Sequence, residues 1–170
     1  TPVPQSYTMY YQRGEQARFV DYMIVMAYDE HFAGSEEAGS VSSLPFVQKA
    51  VEEMTKVMPA DQVICGIPFY TRVWTETFGQ SAITSEVLGM DGAKSYAEQN
   101  QMTENWDAAL GQNVVTVETA DARYTIWMED EQSIEEKLKV IQDADLAGVA
   151  EWKLGFERAD VWSLISSYIE

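Results

Sequence analysis

The sequence contains little of what disulfides, metal sites and nucleic-acid interfaces require. It has one cysteine and one histidine, which excludes an internal disulfide and any metal site built from several Cys or His ligands. Only 11 basic residues stand against 28 acidic ones, so the formal net charge is −17. Nucleic acids and anionic membrane surfaces are bound mainly by clustered lysine and arginine, so both partners are disfavoured. No apolar run reaches the ~20 residues of a membrane span, so we expect no membrane insertion.

What remains is the composition of an ordinary globular domain. The chain has 170 residues, and 46% of them are hydrophobic, which is enough for a sizeable core. The single cysteine, Cys65, lies in the apolar run 63–67 and is expected to be a buried structural thiol, because reactive thiols need exposure and positive neighbours. The chain begins Thr1-Pro2 without an initiator Met, which predicts a piece of a longer protein whose targeting signal lies upstream.

Three short apolar runs dominate the sequence, at 20–28, 62–70 and 146–150. Runs this short and this continuous are typical of strands buried on both faces of a parallel sheet. A helix is predicted between the first two strands, because apolar residues recur at helical spacing from Val47 onward and Ser42 or Ser43 can cap its start. The order strand, helix, strand indicates a βαβ unit.

The central part of the chain departs from this βα pattern. A short helix is predicted at 92–100, and alternating segments at 114–118 and 123–127 predict an antiparallel hairpin. The βα pattern then returns with a helix whose expected capping box starts at Ser133, and a closing helix is predicted at 158–168. We therefore divide the chain into a barrel-type part (1–74), a small α+β insertion (75–130) and a second barrel-type part (131–170).

Polar and aromatic side chains follow each predicted strand, at the carboxyl ends where βα folds bind ligands. The candidates are Met26, Tyr28 and Asp29 after the first strand, Tyr70, Arg72 and Trp74 after the second, and Trp152 after the third. Taken singly, Tyr28 is equally well explained as a half-buried loop residue, and a lone Trp is more often a core residue. Taken together, aromatic rings with a few hydrogen-bonding groups on one rim are typical of carbohydrate sites.

The same segments resemble the strand motifs of a known family. Residues 26–29 read Met-Ala-Tyr-Asp, residues 66–70 read Gly-Ile-Pro-Phe-Tyr, and residues 146–152 read Leu-Ala-Gly-Val-Ala-Glu-Trp. They resemble, in this order, the sixth, seventh and eighth strands of family 18 glycoside hydrolases, the chitinase-like family. The insertion stands where many members carry one. Trp106-Asp107 and residues 127–130 are similar to bacterial cell-wall and spore-associated members.

The resemblance implies an α/β fold, the C-terminal part of a TIM barrel (about strands six to eight) with a chitinase-type insertion. It implies a partner that is an oligo- or polysaccharide containing N-acetylglucosamine, either chitin or peptidoglycan, cleaved at β-1,4 bonds without a cofactor or metal. Catalysis would be substrate-assisted, with the acetamido oxygen replacing a second carboxylate. An extracellular, cell-wall or spore location would follow.

The resemblance also implies roles for the candidates. Tyr28 would orient the acetamido group, Asp29 would contact the same sugar, and Trp152 would form the floor of the subsite. The remaining substrate-binding candidates are Met26 and, lining the cleft toward the insertion, Tyr70, Arg72 and Trp74. His31 is expected to be a rim residue or a satisfied structural histidine.

One family motif is absent from the sequence. The fourth-strand signature Asp-x-x-Asp-x-Asp-x-Glu, whose glutamate donates the proton, is missing, and the nearest acid-rich stretch, 129–131, has the wrong spacing and is expected at a helix start. We expect the first five strands upstream, no turnover by this chain alone, and a homo-oligomer formed through exposed strand edges. A sugar-binding, lectin-like module and a purely structural or interaction domain remain as alternatives.

Overall fold

The computed structural model describes residues 1–168, which form two β-sheets and their helices. The strands are β1 (Met23–Met26), β2 (Val63–Pro68), β3 (Tyr70–Thr77), β4 (Ile83–Gly89), β5 (Thr103–Asp107), β6 (Gln112–Glu118), β7 (Ala122–Trp127) and β8 (Gly148–Trp152). The α-helices are α1 (Arg13–Gln16), α2 (Leu44–Thr55), α3 (Met90–Gln99), α4 (Glu131–Asp143) and α5 (Val161–Tyr168), and short 3-10 helices span Ser6–Tyr11 and Ala60–Gln62.

The three predicted apolar strands form one parallel sheet in the order β1-β2-β8. The helix predicted between β1 and β2 is confirmed, and the Ser43 side chain caps it by accepting from the Phe46 amide. Its buried residues recur at helical spacing, which explains why the sequence pattern located it: Val47, Ala50, Val51 and Met54. The predicted α/β fold is therefore confirmed. No helix among the described residues is both long and apolar enough to span a bilayer.

The parallel sheet is covered by helices on one face and open on the other. Val25, Cys65 and Ile67 are completely buried in the main core, against α2, α4 and α5. On the opposite face, Ile24 is 46% exposed and Met26 is 37% exposed. The prediction that β1 is buried on both faces is therefore wrong for this chain. Because side chains alternate along a strand, the open face collects every second residue of the apolar run.

The five remaining strands form an antiparallel sheet in the order β4-β3-β7-β6-β5. Helix α3 covers one of its faces over a small second core that contains Val73, Ala93, Val115 and Ile126. The predicted hairpin is confirmed as β6 and β7. Strands β4 and β5 were not predicted, because β5 is mostly exposed and polar and the apolar residues of β4 do not alternate with polar ones.

The start of α4 differs from the sequence prediction. The capping box is formed by Asp130 and Ser133 and not by Ser133 with a later glutamate: the Asp130 carboxylate accepts from the Ser133 amide at 2.9 Å, and the Asp130 amide donates to Ser133 Oγ at 3.0 Å. Asp130 precedes the helix because its extended backbone lets the carboxylate reach the free amides of the first turn. The acid-rich stretch 129–131 lies at a helix start, as predicted.

A buried ion pair joins the antiparallel sheet to α4. Lys137 Nζ lies 2.5 Å from Glu129 Oε2, and the two side chains are 0% and 1% exposed. Gln112 from β6 donates to the other carboxylate oxygen at 2.9 Å, and Ser133 Oγ donates to Oε2 at 3.0 Å. Burial raises the pKa of Glu129 to about 7, against the opposing effect of Lys137.

Candidate functional site

The carboxyl ends of β1, β2 and β8 bring three aromatic rings together. Pairing of Met26 with Gly66 and of Pro68 with Trp152 aligns the strands so that Tyr28 and Trp152 lie side by side. Their ring centroids are 6.5 Å apart with a 26° interplanar angle. The ring of Tyr70 meets Tyr28 edge-on at 6.3 Å and 73°. The parallel strand order thus assembles residues that are more than 120 positions apart in sequence.

Gly66, at the centre of this cluster, leaves room for the Tyr28 ring. A Cβ atom at this position would lie 3.0 Å from the Val25 carbonyl oxygen and 3.3 Å from Tyr28 Cε1. Both distances are tighter than ordinary van der Waals contact, so any side chain here would displace the ring or the neighbouring strand. The aromatic cluster therefore depends on a glycine in the central strand.

Asp29 and Tyr70 form the polar part of the site. The Tyr70 hydroxyl donates a hydrogen bond to Asp29 Oδ1. Asp29 takes a left-handed backbone conformation with φ of 60°, where the chain turns away from β1. Burial raises the pKa of Tyr70, and the hydrogen bond with Asp29 adds to this effect. Burial also raises the pKa of Tyr28, so both phenols remain neutral hydrogen-bond donors near neutral pH.

Two cavities flank Tyr28. One of about 350 Å³ is lined by Met26, Tyr28 and Trp152, and the Trp152 side chain is 55% exposed to it and to solvent. The other, of about 200 Å³, is lined by Tyr28, Asp29 and the exposed Tyr7, among others. Sequence reasoning missed Tyr7, which lies in a 3-10 helix remote from the three strand motifs.

Two candidates near the insertion occupy other positions than expected. Trp74 is only 1% exposed, and its indole N–H donates to the Gly39 carbonyl oxygen at 2.8 Å. The expectation that its side chain lines the cleft is wrong, because the loop after β1 covers it. Arg72 is half-buried, and its Nη1 donates to Ser85 Oγ of β4 at 2.8 Å. The Trp74 side chain therefore holds the antiparallel sheet to the loop after β1, whereas the Arg72 side chain links two neighbouring strands of that sheet.

The loop after β1 is held by His31 and Glu30. His31 Nδ1 lies 2.8 Å from the Ser40 carbonyl oxygen, and the ring packs where a Cβ on Gly39 would stand. His31 is thus a satisfied structural residue. Glu30, which the sequence did not single out, accepts from the Ser43 amide at 2.8 Å at the start of α2. Among residues 1–168, no group of three His, Cys, Asp or Glu side chains is placed to hold a metal ion.

Comparison with known proteins agrees with this geometry. The sequence model of the family described as "Glycosyl hydrolases family 18" matches residues 1–157. The chain is 27% identical over 148 residues to the cortical fragment-lytic enzyme of Bacillus subtilis, covering 86% of this chain and 34% of that enzyme. It is 26% identical over 156 residues to the uncharacterized glycosylase YvbX of the same organism, covering 91% of this chain and 44% of YvbX. The chain therefore spans between a third and a half of the length of these relatives.

Solved structures show the same fold. A chitinase from Chromobacterium violaceum superposes with a TM-score of 0.86 at 18% identity, over 99% of this chain and 54% of that one. The spore cortex-lytic enzyme SleL from Bacillus megaterium superposes with a TM-score of 0.79 at 21% identity, over 91% of this chain and 35% of that one. At these identities, the likeness is one of fold.

Proposed function

Because the chain belongs to family 18 of the glycosyl hydrolases, we propose that it forms the sugar-binding side of an active site that hydrolyses glycans containing β-1,4-linked N-acetylglucosamine. The observation that carries this proposal is the cluster of Tyr28, Trp152 and the hydrogen-bonded Asp29–Tyr70 pair at three parallel strand ends. We assign β1, β2 and β8 to the sixth, seventh and eighth strands of a barrel whose other strands lie outside this sequence.

Each residue of the cluster has a proposed role. The exposed ring of Trp152 offers a flat apolar surface for the C–H face of a sugar. The neutral Tyr28 hydroxyl donates a hydrogen bond to the acetamido carbonyl oxygen and aligns it for attack on the anomeric carbon. Tyr70 holds the Asp29 carboxylate in place, where it contacts the same sugar. Met26 lines the cavity beside them.

The proton donor is proposed to come from another part of the protein. Asp29 and Glu151 are the acidic residues in the lining of the two cavities beside Tyr28. Asp29 is held by Tyr70, and Glu151 pairs with Ile67, whose side chain is completely buried on the helix side of the sheet. Alternation therefore directs Glu151 away from the Tyr28–Trp152 face. We expect no turnover by the 170-residue chain alone.

An assay of reducing-end release tests this expectation. The purified chain is incubated with chito-oligosaccharides and with peptidoglycan, and the longer parent protein is assayed beside it. We expect release by the parent and none by the chain. Release by the chain at a rate comparable with the parent would overturn the assignment of the proton donor. The substrate that the parent prefers distinguishes chitin from peptidoglycan, and peptidoglycan cleavage would support a cell-wall or spore location.

Sugar binding is tested separately by substitution. Trp152→Ala is expected to weaken binding of N-acetylglucosamine oligomers to the chain by about tenfold, because a central stacking aromatic is removed. Trp106→Ala is the matched control, since Trp106 is an exposed tryptophan on β5, outside the cluster. Calorimetric titration measures both variants. Equal affinities for Trp152→Ala and Trp106→Ala would remove the cluster from consideration as a sugar site.

A lectin-like role is the second candidate, because the cluster of Tyr28 and Trp152 could bind a sugar in a protein that cleaves the glycan and in one that only binds it. The residue at the end of the fourth-strand acid signature in the parent discriminates between the two functions. Glutamate there supports hydrolysis, whereas glutamine or leucine supports binding without cleavage.

A further inference from the structure

A wide groove lies away from the aromatic cluster, on the antiparallel sheet. We propose that this groove, of about 800 Å³, binds a segment of the glycan that carries a primary ammonium group. The proposal rests on the proposed function, because it names a second feature of the same polymer. Its sheet residues are Glu76 of β3, Thr116 and Glu118 of β6, and Arg123, Thr125 and Trp127 of β7.

Strand register places these six residues on one face of the sheet. Arg123 stands opposite both Glu76 and Glu118, and Thr125 stands opposite Thr116. The alternate residues Ile126 and Val115 face the other way, into the small core under α3. On the groove face, Trp74 and Thr125 are buried, and the loop after β1 contacts Trp74. The groove lies beside this contact, where Glu76, Glu118 and Arg123 do not belong to the core under α3.

Trp127 gives the groove an aromatic surface. Its side chain is half-buried and lines the cavity, with the threonine hydroxyls of β6 and β7 beyond it. It does not belong to the packed core of the insertion, whose β7 member is Ile126. A partly exposed ring beside hydroxyl groups suits a sugar, which offers a C–H face to the ring and hydroxyls to the polar groups.

The charge of the groove selects the class of ligand. Four glutamates line it, Glu76 and Glu118 from the sheet and Glu36 and Glu37 from the loop after β1, against the one guanidinium of Arg123. Arg123 is held by Glu118, with Nη2 at 2.6 Å from Oε1. The groove therefore keeps a surplus of negative charge.

This surplus disfavours an anionic ligand and favours a cationic one. A neutral sugar would desolvate the carboxylates without compensating their charge, whereas an ammonium group would pair with them. In a glycan of this class, a primary ammonium arises where an amino sugar has lost its acetyl group, or where an attached peptide has a free amine. The deacetylated sugar and the peptide both present a primary ammonium group, and binding experiments with separate ligands distinguish them.

Calorimetric titration of the 170-residue chain tests the proposal. The ligands are a glucosamine hexamer without acetyl groups, its N-acetylated counterpart, and an acetylated sugar unit bearing a peptide with a free amine. We expect binding of at least one amine-bearing ligand that weakens as salt is raised, because exposed charge pairs are screened. The double variant Glu37→Gln/Glu76→Gln is expected to weaken this binding about three- to tenfold. The amine-bearing ligand whose binding weakens in this variant shows whether the groove prefers a deacetylated sugar or a peptide amine.

Matched controls separate the groove from general charge. Glu15→Gln/Glu52→Gln removes the same two charges from exposed positions on α1 and α2, outside the groove, and should leave the affinity unchanged. Trp127→Phe keeps an aromatic ring and guards against misfolding by Trp127→Ala, which should weaken binding more. The proposal is overturned if neither amine binds, or if both double variants weaken binding equally.

The result is distinguishable from failure of the proposed function. The groove variants should leave binding of the N-acetylated hexamer at Trp152 unchanged, and Trp152→Ala should leave the groove's amine-dependent response to Glu37→Gln/Glu76→Gln intact. Loss of the Trp152-dependent signal alone counts against the proposed sugar site. Loss of the glutamate-dependent signal alone counts against the groove.

Discussion

Each of the two sheets of this molecule leaves part of one face uncovered, and the two uncovered surfaces have opposite chemistry. The open face of the parallel sheet is apolar, with Ile24 and Met26 at 46% and 37% exposed. The open face of the antiparallel sheet is polar, with threonines, glutamates and an arginine. Antiparallel sheets commonly tolerate one solvated face, whereas parallel sheets are almost always covered on both. The difference supports the proposal that further strands of the protein pack beside the parallel sheet, whereas an antiparallel sheet needs no such cover.

The largest loss of stability is expected at the buried ion pair of Glu129 and Lys137, which joins the antiparallel sheet to α4. Lys137→Ala would leave the buried Glu129 carboxyl without its charge partner, which destabilises by about 3–5 kcal/mol. Chemical unfolding, followed by circular dichroism and tryptophan fluorescence, measures the loss. If the Glu129–Lys137 ion pair alone couples the unfolding of the two sheets, the transitions followed by circular dichroism and by fluorescence should differ in this variant. The two transitions should coincide in the unchanged protein.

A double variant is the control for this experiment. Glu129→Leu/Lys137→Met replaces both charges by apolar groups, so no buried charge is left uncompensated, and we expect it to be more stable than Lys137→Ala. A double variant as unstable as Lys137→Ala would show that packing of the aliphatic part of Lys137, and not its charge, stabilises this contact.

A smaller effect is expected from pH at the same joint. The pKa of Glu129 is raised from 4.5 to about 7 in the folded protein. Between these values, the folded state holds a proton that the unfolded state has released, so this group makes stability fall as pH rises from about 4.5 to 7. The full contribution is about 3 kcal/mol for a shift of this size.

The pH dependence is measured from unfolding midpoints across this range. Glu129→Gln cannot titrate, so its curve should lack the fall that Glu129 causes. Burial also raises the pKa of Glu151, so this group too makes stability fall as pH rises. The contribution of Glu129 is therefore the difference between the pH dependence of the unchanged protein and that of Glu129→Gln. Identical slopes in both proteins would count against a raised pKa at Glu129.

The mildest change is expected on the open apolar face. Ile24→Lys places a charge among exposed apolar side chains and should shift the chain toward monomer, because self-association through this face and its edges would then bury a charge. Val57→Lys, at an exposed position after α2, is the control. Light scattering over a range of concentrations measures the mass. A stable monomer before any substitution would contradict the expected self-association.

The parts of the fold that the sequence predicted are those with a strong repeating pattern. The apolar runs located β1, β2 and β8, and the spacing from Val47 to Met54 located α2. The strand-end positions of Tyr28, Asp29, Tyr70 and Trp152 followed from parallel topology, because such strands place their carboxyl ends at one edge. The family resemblance is confirmed by the match over residues 1–157.

Other features depend on partners that are distant in sequence. Trp74 was expected in the cleft because it follows a strand, but Gly39, 35 residues away, covers it. The ion pair of Glu129 and Lys137 was not predicted either, because the sequence of an acidic run does not show which of its carboxylates is buried in the folded protein. Ser133 was expected to begin α4, and local spacing alone does not show that Asp130 does so.

Gly66 gives the aromatic cluster an unusual dependence on a side chain that is not there. A single methyl group at this position would lie 3.3 Å from the Tyr28 ring, so the ring would have to shift by a few tenths of an ångström. The width of the cavity between Tyr28 and Trp152 is therefore set in part by one hydrogen atom of the central strand, on a residue that itself lines this cavity. A larger residue at this one position would narrow the cavity while leaving every aromatic residue of the cluster unchanged.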